Sequence, residues 1–314
     1  MPYYGLVDVG SNTVRLVVYA VPDDGKPSYV RSDFSTIVND KIMAGLAAYV
    51  KDGTFTDAGI DKAASTIKSH LRHAAFFDCA RVSVFATAVV RNARNCHEVV
   101  SALEERIGYP VDVIDGAEEA RLGFLGAKSA ARIDDGVMID IGGGSTELTV
   151  VRQGTAGACT SIAQGSLSSY ASMVSYVVPS PLEIEQMRSA FAARLAALNL
   201  PTYATPRLFG VGGSVRAAAK MLAALGNAKA RPQTLSRLDA EEILRLCIDD
   251  PSRFAHTALR AAPERVHTLV PGCAILCETM EALGAQNVSV CRCGIREGYL
   301  IERMLGAEVG IPLA

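Results

Sequence analysis

Two segments of the sequence share one pattern, and this internal repeat constrains the fold more than any other feature. Residues 7–18 and 139–150 each alternate β-branched residues, reach an aspartate, pass through glycine and small hydroxyl residues, and alternate again. Asp8 and Asp140 each stand two residues before the first glycine of the turn. Alternation of this kind predicts a strand, a tight turn and a second strand. The repeat therefore predicts duplicated lobes, each opening with a β-hairpin.

Strand and helix patterns alternate along the rest of the chain. Apolar residues at helical spacing mark the helices, together with caps such as Thr56 and the capping box of Ser180 with Glu183. The predicted helices are 57–77, 98–107, 118–127, one starting at 181, one ending at 225, 273–283 and 297–305, and the strands are 81–86, 111–114, 207–211 and 288–291. Such alternation predicts an α/β fold.

The length predicts two domains. A chain of 314 residues with 49% hydrophobic residues is long for one domain and can bury a sizeable core. We expect a first lobe over 1–125, completed by the C-terminal helix 297–314, and a second lobe over 126–296. The apolar stretch 273–283 could be core or interface, and core is the interpretation we adopt.

The composition favours neither a nucleic-acid nor a membrane partner. With a formal net charge of −2 and a pI ≈ 6.2, the chain has no overall basic field. No signal segment is visible and the apolar run 14–21 is too short to cross a bilayer, so we expect a cytoplasmic location. The eight cysteines are then interpreted as reduced, buried small hydrophobes, and the five histidines, which fit no ligand spacing, as surface or core residues.

Three glycine-rich turns follow predicted strands, at 10–12, 142–145 and 210–214. Glycine lets the backbone approach closely, and successive N–H groups form a concavity for phosphate oxygens. The third turn also opens a helix, whose N-terminus favours an anion. One such turn would be read as an ordinary tight turn, but three favour phosphate binding. The predicted phosphate-binding residues in or next to these turns are Ser11, Asn12, Thr13, Gly142, Gly143, Gly144, Ser145, Gly212, Gly213 and Ser214.

Acidic residues supply the second half of the predicted site. Asp8 and Asp140 occupy equivalent points of the two hairpins, and carboxylates beside phosphate-binding turns suit Mg²⁺, which borrows few protein ligands. Glu118 and Glu119 follow a predicted strand, and adjacent helical residues point about 100° apart, so at most one of them can face a substrate squarely. A solvated first helical turn, which favours acids, is the alternative for this pair.

Four motifs are spread over nearly the whole chain. They are Asp8-x-Gly10-Ser11-Asn12-Thr13-x-Arg15-Leu16, Ala86-Thr87-x-x-x-Arg91-x-Ala93-x-Asn95, Gly116-x-Glu118-Glu119-Ala120 and Asp140-x-Gly142-Gly143-Gly144-Ser145-Thr146-Glu147. In residues, order and spacing they resemble the motifs of the Ppx/GppA phosphatase family. Pro271-Gly272 and Gly294-Ile295-Arg296-Glu297-Gly298 resemble later motifs of the family. The family comprises exopolyphosphatases and guanosine-pentaphosphate phosphatases, the latter linked to the stringent response.

The resemblance implies two actin-like (ribonuclease H-like) lobes, as in the actin, sugar-kinase and chaperone-ATPase superfamily, with the substrate in an interdomain cleft. Glu119 would be the general base that orients water, and Arg91 a phosphate-binding arginine. The implied catalytic set is Glu119, Asp140 and Glu147, and the implied Mg²⁺ (or Mn²⁺) ligands are Asp8, Asp140 and Glu147. The expected reaction is release of terminal orthophosphate from polyphosphate, by positioning and charge neutralisation.

Some positions depart from the family pattern, and other functions stay open. Lys41 stands where an arginine is usual and lacks its bidentate fork, and Cys293 replaces an aromatic residue. The C-terminal helical domains of longer members are not expected here, which would give a long polyphosphate less protein to run through and puts processive action in question. The alternatives are a guanosine pentaphosphate (pppGpp) 5′-phosphohydrolase and a nucleotide-binding or filament-forming actin-like sensor with little turnover. A sugar kinase would need an acceptor-side base that the sequence does not reveal. A homodimer is expected from the family resemblance.

Overall fold

A computed structural model describes residues 1–198, 207–226 and 232–312. Contacts divide the chain into two compact units, Met1–Arg132 with the C-terminal segment from Cys293, and Ile133–Arg292. The sequence places the boundaries at 125 and 296 instead. The difference arises because the helix that crosses position 125 continues to Lys128 and the last helix already begins at Ile295. Among the described residues, no helix is long and apolar enough to cross a membrane.

The first unit is built on one five-stranded sheet, with helices supplied by the segments between its strands. Its strands before residue 133 are β1 Tyr3–Val9, β2 Val14–Ala20, β3 Ser28–Tyr29, β4 Ser35–Ile42, β5 Val50–Lys51, β6 Thr54–Phe55, β7 Arg81–Ala86 and β8 Val111–Val113. Its helices there are α1 Asp57–Phe76, α2 Ala88–Arg91, α3 Cys96–Ile107 and α4 Gly116–Lys128. The sheet has the order β4-β2-β1-β7-β8. Strand β2 is antiparallel to β1 and β4, whereas β7 is parallel to β1 and β8 to β7.

The second unit repeats this arrangement and adds one strand. Its strands are β9 Gly136–Ile141, β10 Thr146–Arg152, β11 Thr155–Ile162, β12 Leu208–Val211, β13 Thr234–Ser236 and β14 Asn287–Val290. Its helices are α5 Ser166–Met173, α6 Pro181–Ala196, α7 Gly212–Leu225, α8 Arg237–Asp249, α9 Pro251–Ala261 and α10 Val266–Leu283. The sheet order is β11-β10-β9-β12-β14-β13. β10 is antiparallel to β9 and β11, as β2 is to β1 and β4, and β12 and β14 continue the sheet in parallel with β9, as β7 and β8 do with β1.

The repeat extends to the turns of the two hairpins. The Gly10 amide donates to the Thr13 carbonyl at 3.0 Å, and the Gly142 amide donates to the Ser145 carbonyl at the same distance. Equal turns between equally placed strands put Asp8 and Asp140 at equivalent positions within their own units. The duplicated hairpins predicted from the sequence are thus confirmed.

Helix ends follow the caps that the sequence contains. The Thr56 hydroxyl accepts from the Gly59 amide at the start of α1, and Ser180 and Glu183 form the predicted capping box of α6. Helix α3 ends at Gly108, which has a left-handed conformation. Helices α2, α5, α8 and α9 were not predicted. Their short or strongly polar sequences resemble loops when the surrounding fold is unknown.

Helix α10 is the central buried helix of the second unit, which supports its interpretation as core. The helix begins at Val266, before the predicted start at 273. Pro271 lies inside it, although proline removes a backbone N–H donor and usually ends a helix, and this is why the predicted start was too late. The next residue, Gly272, packs so closely on α7 that an added Cβ would lie 2.7 Å from that of Ser214. The Pro271-Gly272 motif thus supports the third glycine-rich turn.

The C-terminal segment packs on α4 of the first unit. It consists of α11 Ile295–Tyr299, a π-helical turn over Leu300–Met304, and β15 Glu308–Val309, which pairs in parallel with β3. A Cβ on Gly126 would lie 1.7 Å from the Gly294 carbonyl oxygen, so only glycine permits this approach. The predicted helix 297–305 therefore exists as a short α-helix and a π-helical turn, and its glycines allow it to lie directly on α4.

Candidate functional site

The second unit holds the densest group of predicted site residues, at the turn between β9 and β10. The turn is fixed from outside by α5. The Ser166 amide donates to the Gly142 carbonyl, and the Leu167 and Ser168 amides donate to the Gly143 carbonyl, all at 2.9 Å. In these bonds the turn uses its carbonyl groups as acceptors, so α5 fixes the turn through the carbonyls of Gly142 and Gly143. Gly142, Gly143 and Gly144 remain partly exposed.

A row of polar side chains crosses the sheet next to this turn. Asp140 on β9 pairs directly with Glu147 on β10, which pairs with Ser161 on β11. Directly opposite residues of antiparallel strands carry their side chains on one face, with Cβ atoms about 5 Å apart. Glu147 is only 1% exposed, and its Oε1 accepts a hydrogen bond from the Ser161 hydroxyl at 2.7 Å. The two predicted acids of this unit are therefore neighbours.

The third glycine-rich turn meets Asp140 of this row. Gly212 has a φ of +90°, and a Cβ there would lie 2.3 Å from Oδ1 of Asp140. The Ser214 hydroxyl donates to the Ile141 carbonyl at 3.2 Å. The start of α7 is therefore locked against the end of β9, and a side chain at position 212 would displace the Asp140 carboxylate.

Sequence reasoning missed Arg265, which lies in this group. Its guanidinium is so close to the third turn that a Cβ on Gly213 would lie 2.1 Å from one of its nitrogens. Burial lowers the pKa of Arg265, while the Glu264 and Asp140 carboxylates oppose that shift. Arg265 precedes α10 without any recognisable motif, so only the tertiary packing reveals it. It places a cation beside the turns predicted to bind phosphate.

The corresponding row of the first unit has the opposite balance of charge. Asp8 on β1 pairs directly with Arg15 on β2, and Arg15 pairs with Lys41 on β4. Arg296 of α11 donates to Oδ2 of Asp8 at 2.8 Å. Burial alone would lower the pKa of Arg296, but the Asp8 and Glu297 carboxylates raise it above its usual value. One acid and three bases make this row suited to an anion.

Arg91 and Glu119, two predicted site residues, are paired in the first unit. Arg91 donates to Oε2 of Glu119 at 2.5 Å and to the Ile114 carbonyl at 2.9 Å. Both side chains are about 15% exposed, at 14% and 15%. Arg91 ends α2 and Glu119 lies in the first turn of α4, two elements that each follow a parallel strand of the sheet. The motif residue Asn95, by contrast, bonds to the backbone of Phe55.

Glu118 points away from Glu119 and belongs to a different set of contacts. It accepts from Arg121 at 2.7 Å and from Arg303 at 2.5 Å. Arg121 first, and Arg303 after it, lower the pKa of Glu118 to about 2. Arg121 also pairs with Glu302. This ion-pair cluster joins α4 to the C-terminal segment, so Glu118 has a structural role. This agrees with the helical geometry, which lets at most one of Glu118 and Glu119 face a substrate squarely.

The hydroxyl residues predicted to bind phosphate are mostly buried. Ser11, Ser145 and Ser214 are 6%, 2% and 3% exposed, while Asn12 and Thr13 are partly exposed. Contact with phosphate at the three serines would therefore come through their turns' backbone amides rather than their hydroxyls.

The acidic residues of the second unit are better suited to bind a metal ion than Asp8 of the first unit. Two adjacent carboxylates, one buried and supported by a hydroxyl, are oxygen ligands of the kind that Mg²⁺ prefers. Asp140 and Glu147 meet this description. Asp8 stands among arginines and is ion-paired with Arg296, so its use as a ligand would require that pair to be shared or exchanged.

Comparisons with known proteins agree with the motifs. The family model described as the Ppx/GppA phosphatase family matches residues 26–307. Exopolyphosphatase 1 of Mycobacterium leprae is 27% identical over 98% of this chain and 91% of its own length. Exopolyphosphatase 1 of Mycobacterium tuberculosis is 26% identical over 98% of this chain and 90% of its own length.

Solved structures show the same fold. The crystal structure of an exopolyphosphatase from Cytophaga hutchinsonii superposes with a TM-score of 0.81, at 22% identity, and covers 98% of this chain and 99% of its own. The Ppx/GppA family member of Aquifex aeolicus gives a TM-score of 0.75, at 22% identity, with 97% and 98% covered. Together with the repeated strand order, these similarities confirm the predicted α/β fold with two actin-like lobes.

Proposed function

The chain belongs to the Ppx/GppA phosphatase family, and from that premise we propose that it releases terminal orthophosphate from inorganic polyphosphate. The family is one of phosphatases, so the chain is an enzyme of the hydrolase class. The observation that carries the proposal is the direct pairing of Asp140 with Glu147 beside two glycine-rich turns. Carboxylates and turn amides are the groups that a metal-bound phosphate chain requires.

Asp140 and Glu147 are proposed to hold the metal ion, Mg²⁺ or Mn²⁺. When bound, such an ion neutralises phosphate oxygens and orients the phosphoanhydride for attack. The Ser161 hydroxyl fixes the orientation of Glu147 through its 2.7 Å hydrogen bond. The Asp140 carboxylate packs against Gly212, because only glycine at position 212 leaves room for its Oδ1. Asp8 stays a predicted third ligand.

Phosphate oxygens are proposed to bind to the amides of the turns at 142–145 and 212–214. Their donors are preorganised, because α5 and α10 hold the turns from behind. Arg265 adds positive charge next to Gly213. In the first unit, Arg15 and Lys41 supply cations in the row that contains Asp8, and Arg91 supplies one next to Glu119, which matches the many negative charges of a polyphosphate.

Glu119 is proposed as the general base that orients and deprotonates the attacking water. Its contact with Arg91 holds the carboxylate in place, and it puts a phosphate-binding cation within hydrogen-bond distance of the base. A terminal phosphate bound by Arg91 would therefore bring its phosphorus near the water held by Glu119. The oxygen of that water bonds to the terminal phosphorus and its proton passes to Glu119. The bond from that phosphorus to the bridging oxygen breaks, and the shortened chain leaves with this oxygen as part of its new terminal phosphate.

Phosphate release with Mg²⁺ from long-chain polyphosphate, short polyphosphate, guanosine pentaphosphate and ATP tests this proposal. We expect the highest kcat/KM for one of the polyphosphates and loss of release when the metal is chelated. Preference for guanosine pentaphosphate would replace the substrate assignment by the pppGpp phosphohydrolase. Tight nucleotide binding without release from any of the four would favour a nucleotide-binding sensor and contradict the hydrolase mechanism.

A further inference from the structure

A second group of potential metal ligands lies in the first unit, outside the motifs. Asp40 on β4 and His70 and His73 on α1 each offer one ligand atom, and these three atoms lie within 4.8 Å of one another. His70 and His73 are three residues apart on a helix and so share one face. Read along the sequence alone, the histidines fit no ligand spacing. The third ligand comes from a distant strand, which is why that reading missed the group.

His70 is the residue that distinguishes this group from an ordinary surface pair. Its side chain is fully buried, and its Nε2 lies 3.1 Å from the Val14 carbonyl oxygen. A carbonyl only accepts, so Nε2 carries the proton and Nδ1 of the neutral ring presents a lone pair. Nδ1 is buried and has no hydrogen-bond partner. A buried polar nitrogen without a partner is rare and unfavourable unless a ligand completes it.

The distances suit a four-coordinate cation. Oδ2 of Asp40 lies 3.6 Å from Nδ1 of His70 and 3.3 Å from Nδ1 of His73. Ligand atoms bound tetrahedrally at about 2.0–2.2 Å from a metal are separated by about 3.3–3.6 Å. A distance of 3.6 Å is too long for a hydrogen bond, so a direct Asp40–His70 bond does not account for the arrangement.

We propose that Asp40, His70 and His73 form a binding site for a borderline divalent cation such as Zn²⁺, with water as the fourth ligand. Two imidazoles and one carboxylate favour such a metal over Mg²⁺, which prefers oxygen ligands. The carbonyl of Val14 orients His70 from behind, as second-shell partners of zinc-bound histidines do. Asp40 and His73 are 38% and 56% exposed, which leaves an entry path from solvent.

The site would tie the edge strand β4 to helix α1. β4 ends the sheet order of the first unit and pairs only with β2 among the described strands. Lys41, the neighbour of Asp40, belongs to the basic row with Arg15. Binding of the cation is therefore expected to stabilise the strand that carries Lys41, without taking part in the proposed reaction.

Titration of the full chain with Zn²⁺ and with Co²⁺, after removal of metals by a chelator, tests the site. With Mg²⁺ in excess to occupy the proposed Asp140–Glu147 site, we expect one equivalent to bind, a visible Co²⁺ spectrum typical of four-coordinate nitrogen and oxygen ligation, and a higher Tm. His73→Ala and Asp40→Asn should each weaken binding by at least about 10-fold, because each removes a ligand. His97→Ala, at an exposed histidine of α3, is the control and should leave binding unchanged.

Three results would contradict the proposed metal site. Failure of the wild-type chain to bind one equivalent of either ion would overturn the site. So would binding that persists in both His73→Ala and Asp40→Asn, because the ion would then be held elsewhere. Co²⁺ absorption typical of thiolate ligation would reassign the ion to the cysteines. Since His73 is 56% exposed and Asp40 is 38% exposed, neither substitution empties a buried position, so the variants are expected to fold, and their Tm without metal provides the check.

Discussion

Asp140 and Glu147 are direct cross-strand partners on β9 and β10, and the equivalent pair in the first unit is Asp8 with Arg15. One repeated hairpin has thus acquired two acids at this position, and the other an acid and a base. Two adjacent carboxylates repel each other unless a cation lies near them. The acid–base pair, extended by Lys41, suits an anion. Under the proposed function, the duplication would divide metal binding and anion binding between two copies of the same turn.

The first prediction concerns the support of Glu147 by Ser161. Ser161→Ala removes the 2.7 Å hydrogen bond to Oε1, so the Mg²⁺ concentration for half-maximal phosphate release should rise about 10-fold or more. Ser189→Ala is a matched control, since Ser189 bonds to Glu185 at 3.3 Å on the surface of α6. Equal metal dependence in wild type and Ser161→Ala would argue against Glu147 as a ligand.

The second prediction concerns Gly212. In Gly212→Ala the new Cβ would lie 2.3 Å from Oδ1 of Asp140, at a φ of +90° that side chains rarely adopt. We expect phosphate release to fall about 100-fold and stability to fall by about 1–3 kcal/mol. Gly226→Ala makes the same change at the other end of α7, where the Cβ would lie 3.5 Å from the Leu222 carbonyl oxygen, and should be nearly neutral. Similar activities for the two variants would contradict the account.

The third prediction concerns Arg265, which no motif marks. Arg265→Lys keeps a positive charge but loses the planar guanidinium beside Gly213, so kcat/KM for polyphosphate should fall about 10-fold. Arg253→Lys, on the exposed side of α9, is the control. Steady-state kinetics on both variants provide the measurement, and unchanged kcat/KM in Arg265→Lys would remove Arg265 from the proposed phosphate site.

The fourth prediction is a pH dependence of stability from Glu118. Its pKa is about 2 in the folded chain against 4.5 for an ordinary glutamate, so its ion pairs stabilise the fold above about pH 5 and cease to do so as pH falls towards 2. Glu118→Gln should therefore lower the free energy of unfolding by about 1 kcal/mol at pH 7, with a smaller difference at pH 3. Urea unfolding at both values measures this. A difference that grows on acidification would contradict the assignment.

Local sequence signals predicted the parts of the fold that depend on neighbours in the chain. The paired hairpins, the Thr56 and Ser180 caps and the Gly108 helix end rest on residues within a few positions of one another. The predicted start of α10 was too late because proline usually ends a helix. Here tertiary packing keeps Pro271 inside the helix. The proposed site residues themselves stay predictions.

Contacts between distant positions could not be read from the sequence. Arg265 reaches Gly213 and Asp40 reaches His70 only because helices and strands far apart in the chain pack together. The separation of Glu118 from Glu119 was predictable in principle, since neighbouring helical residues point in different directions. Which of the two would join Arg91 was decided by the position of α2, a tertiary feature.

The direct test of the central claim compares Glu119→Gln with Glu118→Gln in phosphate release from polyphosphate with Mg²⁺. The account predicts that Glu119→Gln loses about 10²–10⁴-fold in kcat, the usual contribution of a general base, while Glu118→Gln keeps activity within about threefold of wild type. The neighbouring variant controls for the loss of one charge in the same helical turn. Wild-type activity in Glu119→Gln, or an equal loss in both variants, would contradict the proposed mechanism.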